Sequence, residues 1–178
     1  MDDRSASETP GQAGAPGRPL WAPWRIEYIL GPRGGGCFFC RKGESPEEDE
    51  ANHVLARGRS CFVLMNDYPY NSGHIMVAPY RHVGDIQLLS PEERAELMEL
   101  TAVAQDVLRQ TMRPDGFNFG INIGDAGGAG VREHLHAHLV PRWVGDTNFM
   151  AVLADTRVVP DALVRTAALL RDAWPSRD

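Results

Sequence analysis

A chain of 178 residues, 43% hydrophobic and 24% charged, can bury a core of its own and has the size of a single domain with tails. Its net charge of −6 argues against broad binding to nucleic-acid backbone or acidic membrane, and no apolar run approaches the roughly 18–20 residues of a membrane span. Three cysteines, with no apolar leader after Asp2, Asp3 and Arg4, predict a reducing, cytoplasmic setting with neither secretory signal nor disulfide framework.

Residues 1–19 contain no Val, Ile, Leu, Phe, Trp or Tyr and cannot offset their ordering entropy, so they read as a disordered tail before one domain over 20–178. Order is expected to begin at Leu20-Trp21-Ala22-Pro23-Trp24-Arg25. Cys37-Phe38-Phe39-Cys40 follows, then an acidic stretch with Glu44, Glu47, Glu48, Asp49 and Glu50 that reads as a solvated loop. Cys61–Asn66 is an apolar strand ending in the turn-rich Asp67–Gly73, and His74–Pro79 is a second, antiparallel strand. Ser90, Pro91 and Glu93 form a capping box, after which Leu97, Leu100, Ala104 and Leu108 recur at helical spacing to about Met112. Gly116–Gly124 and His134–Arg142 are two more strands. A closing helix over Pro160–Trp174 carries Leu163, Ala167 and Leu170 on one face. Strands around one main helix predict an α+β domain with a largely antiparallel sheet.

Three of the six histidines lie within five residues, in His134-Leu135-His136-Ala137-His138. Strand alternation places them on one face, about 6.8 Å apart, and Leu135, Ala137 and Leu139 on the other. Burying the leucines against the helix fixes that register, so the imidazoles line a groove on the open face of the sheet. Such a row can serve as nucleophile, general acid and base, or metal ligand. The preceding loop, Gly124-Asp125-Ala126-Gly127-Gly128-Ala129-Gly130, lets backbone N–H groups converge on an anion without obstruction from Cβ atoms.

His134-Leu135-His136-Ala137-His138-Leu139-Val140 resembles the signature of the histidine-triad superfamily, and the similarity extends over residues 20–175. The resemblance implies the family's fold, with an antiparallel sheet of about five strands, one main helix and a C-terminal helix. It implies that His136 is a nucleophile attacking the α-phosphorus of a nucleotide to form a covalent nucleotidyl-histidine. His138 and His74 match positions that bond phosphate oxygens or orient the nucleophile, Asn66 a ribose or base contact, and Asn122 a contact near the leaving group. Gly128, Ala129 and Gly130 would cradle phosphate. Relatives often carry Ser, Thr or Gln near Gly130; here that role passes to backbone groups or water.

Cys37 and Cys40 have a spacing at which two thiolates grip one zinc ion, and no thioredoxin-like βαβ pattern surrounds them. By similarity to zinc-binding superfamily members, including galactose-1-phosphate uridylyltransferases, the remaining ligands are His82 and His134, with His53 competing for the fourth place. Four protein ligands close the shell, so the zinc would be structural and no catalytic metal is required. Cys61 reads as a buried core thiol. Trp21–Arg25 and the stretch Pro141–Met150 resemble bacterial diadenosine tetraphosphate phosphorylases. That implies transfer of a nucleotide from a dinucleoside polyphosphate to inorganic phosphate, with Asn148 and Phe149 near substrate. The alternatives are a family hydrolase or phosphoramidase using water, or a nucleotide-binding module with little turnover. A homodimer is expected from the family and from Trp21, Trp24 and Trp143 as interface aromatics.

Overall fold

The computed structural model describes residues 36–146 and 163–176. The expected N-terminal tail, Trp21 and Trp24, and Asn148 and Phe149 lie outside these residues. Five antiparallel strands form one sheet in the order β1-β2-β3-β5-β4: β1 Val54–Arg57, β2 Cys61–Met65, β3 Ile75–Pro79, β4 Gly116–Ile121 and β5 Ala137–Arg142. The central strands β2 and β3 are buried at every position, which is why Cys-Phe-Val-Leu-Met and Ile-Met-Val-Ala-Pro are continuous apolar runs rather than alternating ones.

The main helix, α2 (Pro91–Met112), begins as expected. The Ser90 hydroxyl accepts from the Glu93 N–H at 3.2 Å, and the Glu93 carboxylate accepts from the Ser90 N–H at 2.7 Å. Its face of Leu97, Leu100, Ala104 and Leu108 packs on Val63, Val77, Leu135 and Leu139. The C-terminal helix α3 (Leu163–Asp172) adds Ala167 and Leu170 to this core, and Arg171 donates to the Val54 carbonyl at the edge of the sheet. Cys61 sits in the same core, its thiol pushed up to about 12 by burial.

The other face is not open. A short helix, α1 (Phe38–Glu44), lies over it, and Phe39 packs with Val54, Phe62, Leu64, Met76 and Ala78. The acidic stretch also differs from a solvated loop. Pro46–Glu48 make a 3-10 turn, and the Asp49 carboxylate accepts from Arg57 Nη2 at 2.7 Å and Nε at 3.0 Å. Arg57 donates onward to the carbonyls of Lys42 (2.8 Å) and Gly43 (2.6 Å), satisfying acceptors that the end of α1 leaves open. The last strand begins at Ala137, so His134 and His136 precede the paired ladder rather than belonging to it. Trp143 is half-buried within its own chain, its indole N–H donating to the carbonyls of Met112 and Arg113. No helix among the described residues is long and apolar enough to cross a membrane.

Candidate active site

The segment 134–138 places its three imidazoles in different surroundings. Leu135 and Ala137 are anchored in the core, and the N–H of Leu135 donates to the Val83 carbonyl at 2.6 Å, which fixes the direction of the chain between them. His134 is fully buried, its Nε2–H donating to the Pro79 carbonyl at 2.8 Å. That bond leaves Nδ1 with the lone pair, and Nδ1 lies 3.3 Å from Cys37 Sγ, 3.6 Å from Cys40 Sγ and 3.3 Å from His82 Nδ1. Cys40 Sγ is 3.4 Å from His82 Nδ1.

These four donors are the cluster expected from the sequence, and all lie within 4.8 Å of one another. His53 lies outside it. A zinc ion at ~2.0–2.1 Å from nitrogen and ~2.3 Å from sulfur defines a tetrahedron with edges of roughly 3.3 Å (N–N) and 3.6 Å (N–S). The N–N spacing of 3.3 Å equals that edge, and the N–S spacings of 3.3, 3.4 and 3.6 Å lie at or just below theirs. The chemistry fits as well: burial pushes His134 down to about 4, keeping it a neutral imidazole as a metal ligand must be. Burial, then the adjacent Cys37, pushes the Cys40 thiol up to about 11, a cost that a divalent cation reverses. The residues present therefore fit the group.

His136 is buried, and its Nδ1–H donates to the carbonyl of His134 at 2.8 Å. Nε2 is then the ring nitrogen that carries the lone pair. Phe39 lies against both rings, 4.7 Å from His136 and 5.0 Å from His134 between centroids. Burial also lowers the His136 pKa, which favours the neutral, nucleophilic imidazole. The His136 and His138 rings meet edge to face at 4.7 Å, closer than the strand rise alone implies, because His136 precedes the pleated ladder.

His74 is fully buried and faces His138. The Tyr70 N–H donates to His74 Nδ1 at 3.0 Å, which requires Nε2 to carry the proton; Nε2–H then donates to His138 Nδ1 at 3.0 Å. By the same logic the proton of His138 sits on Nε2. The Asn66 amide supports this order: its oxygen accepts from the Tyr68 N–H at 2.9 Å, and its NH₂ faces His74 Nδ1 at 3.3 Å. Tyr70 stacks on His74 with centroids 5.0 Å apart. A second network ties the 66–73 turn to the end of β5, where Asn71 and Arg142 both donate to the Asp146 carboxylate, at 3.0 and 2.6 Å.

A cavity of about 250 Å³ opens beside the histidines. His136, His138, Asn66, Asn122, Gly128 and Gly130 line it, six of the expected site residues in one place. Ala129 is not on its wall, and the N–H groups of Gly128 and Ala129 are engaged within the loop, with the carbonyls of Asp125 and Gly124. Anion binding by this loop would thus draw on groups other than those two N–H donors. Sequence reasoning missed Phe38, Arg41, Asp67, Tyr68, Tyr70 and Met76 on the wall. Phe38 and Arg41 are three apart, a helical spacing that would have placed them on one face had Phe38–Glu44 been read as a helix. Arg41 is the one Arg or Lys among the described lining residues.

The HIT domain family profile matches residues 47–144. The chain belongs to the HIT domain family. It is 40% identical to the AP-4-A phosphorylase of Mycobacterium tuberculosis over 162 residues, covering 87% of this chain and 83% of that protein. A bis(5′-adenosyl)-triphosphatase of Dictyostelium discoideum is 35% identical over 81 residues, 46% of this chain and 54% of that enzyme. Among solved structures, a Zn-bound histidine triad family protein from Mycobacterium smegmatis superposes with a TM-score of 0.63. It is 27% identical and covers 78% of this chain and 93% of that one. HIT membership accounts for the fold and for the histidine cluster beside the cavity.

Proposed function

We propose that this protein is a nucleotidyltransferase that cleaves diadenosine tetraphosphate or a similar dinucleoside polyphosphate, with inorganic phosphate as the acceptor. The observation that carries the reading is His136, buried on the cavity wall with its Nδ1–H held by the His134 carbonyl and Nε2 left to attack. The 40% identity to an AP-4-A phosphorylase over most of both chains supplies the substrate class. In the first step the Nε2 lone pair attacks the α-phosphorus. A P–N bond forms, the P–O bond to the triphosphate half breaks, and ATP leaves. In the second step a phosphate oxygen attacks the same phosphorus, the P–N bond breaks, and ADP is released. His138, presenting Nε2–H, donates to a phosphoryl oxygen as charge develops there, with His74 holding its orientation. Asn66, Asn122 and Gly130 bind the nucleotide along the wall.

A zinc ion held by Cys37, Cys40, His82 and His134 supplies a structural crosslink, because four protein ligands leave no position for substrate. A homodimer would draw on the edge strand β4, whose outward Phe119 is 45% exposed. Incubation with diadenosine tetraphosphate and labelled phosphate tests the reaction. ADP carrying the label, with ATP in equal amount and a rate that rises with phosphate, is expected. Equal rates with and without phosphate, yielding only AMP and ATP, would reject phosphate as acceptor and leave a hydrolase.

A further inference from the structure

We infer that the Cys/His cluster and the nucleotide cavity are reciprocally linked through α1, with Lys42 as the positioning residue that carries the link. The inference rests on the metal and nucleotide readings above. One helix of seven residues serves both sites: Cys37 and Cys40 bring it to the metal donors, while Phe38 and Arg41 form part of the cavity wall. A helix well short of the ~12–15 residues needed to persist in water takes its position from its tethers. The cluster holds its beginning, Phe39 packs its first turn onto the sheet, and Arg57 holds its end.

Lys42 joins this helix to the opposite wall. It is only 6% exposed, and its Nζ donates to Asp67 Oδ2 at 2.8 Å and to the Asn52 carbonyl at 3.1 Å. Asp67 lines the cavity and directly follows Asn66, whose amide orders the His74–His138 pair. A buried ammonium cannot lose its carboxylate cheaply, so α1 and the turn after β2 are constrained to hold their relative placement. Filling the cluster fixes the first turn of α1, and with it Phe38, Arg41 and the aim of Lys42 at Asp67. Ligand bound between these walls favours the same arrangement. Whatever factor the metal adds to nucleotide affinity, the nucleotide must therefore add to metal affinity.

The test measures zinc affinity of the full chain by chelator competition, with and without saturating AMP, alongside AMP affinity with and without zinc. AMP should raise zinc affinity by about tenfold, and zinc should raise AMP affinity by the same factor. In Lys42→Met the ratio should fall below about threefold while zinc affinity without AMP changes little, and Lys42→Arg should restore it. That loss of ratio is a readout a merely structural lysine would not move. Asp67→Asn removes the charge from the solvent-facing end of the pair and should give the same reduction, which keeps the test decisive if Lys42→Met does not fold. A ratio of one in the unaltered protein, or an undiminished ratio in the variants, overturns the link. Protein that binds zinc but no AMP overturns the nucleotide reading beneath it, and protein that binds AMP but no zinc overturns the metal reading.

Discussion

Truncating Phe39 to alanine should damage both stability and chemistry, by amounts that can be worked out separately. The ring is wholly buried, packs with Phe62, Leu64 and Met76, and lies within 5.0 Å of the His134 and His136 rings. Removing a buried phenyl costs about 3–5 kcal/mol in lost transfer energy and residual cavity. For a chain of this size each kcal/mol lowers Tm by about 2–4 °C, so the midpoint should fall by roughly 6–20 °C. Phe39→Leu, which keeps most of the volume, should lose about 1–2 kcal/mol. Phe39 is not on the cavity wall, so KM should move little, but His136 loses the ring that backs it. A nucleophile misplaced by about 1 Å loses on the order of a hundredfold in rate. We expect kcat of Phe39→Ala, assayed well below its own Tm, to fall between about tenfold and a hundredfold, with Phe39→Leu retaining most activity. Thermal melts and steady-state kinetics on both variants check this. A melt within about 3 °C of the unaltered protein would refute the packing argument. Full kcat in a clearly destabilised variant would refute the positioning role.

Three further outcomes follow from particular contacts. The Arg81 guanidinium holds the Glu93 carboxyl at about 2, against an ordinary 4.5, so the group stabilises the fold fully above pH 4.5 and loses that contribution as pH falls towards 2. The gap in urea midpoint between the unaltered protein and Glu93→Gln should therefore be largest at neutral pH and shrink through that window; a constant gap would contradict the assignment. Gly73→Ala puts a Cβ 2.7 Å from Met112 Sδ at a φ of +77°, next to His74, and should cost roughly 2–3 kcal/mol in chemical denaturation; a neutral substitution would show that the turn relaxes. Cys37→Ser should lower zinc content from one ion per chain to a small fraction, read by elemental analysis of dialysed protein, and undiminished metal would remove Cys37 from the ligand set.

Long, strongly periodic segments of the fold were legible in the residues. Ser90 and Glu93 announced α2, and the apolar runs after Cys61 and His74 announced β2 and β3, because each is decided by local chemistry. β1 was not legible. Val54-Leu55-Ala56-Arg57 is four residues long, with no alternation, and exists because it pairs with β2 and receives Arg171 from α3. Nor was α1, since Phe38-Phe39-Cys40-Arg41 has too few residues to show a period and its capping comes from Arg57 on a distant strand. The missing helix explains the missed wall residues, and it explains why the sheet face expected to be open is covered. Within the site, alternation put all three histidines along one groove, whereas His134 lies among the metal donors and, of the three, His136 and His138 are on the cavity wall. What divides them is which ring nitrogen the backbone engages: the Pro79 carbonyl for His134, the His134 carbonyl for His136, and the Tyr70 N–H by way of His74 for His138.

The most direct test of nucleophilic catalysis is intact-mass and peptide analysis of protein quenched within milliseconds of mixing with diadenosine tetraphosphate, before phosphate is supplied. An acid-labile adenylyl adduct localised to His136, absent from His136→Ala and discharged to ADP on addition of phosphate, is the expected result. Turnover at the full rate with no adduct on any histidine, or an unimpaired His136→Ala enzyme, would contradict it.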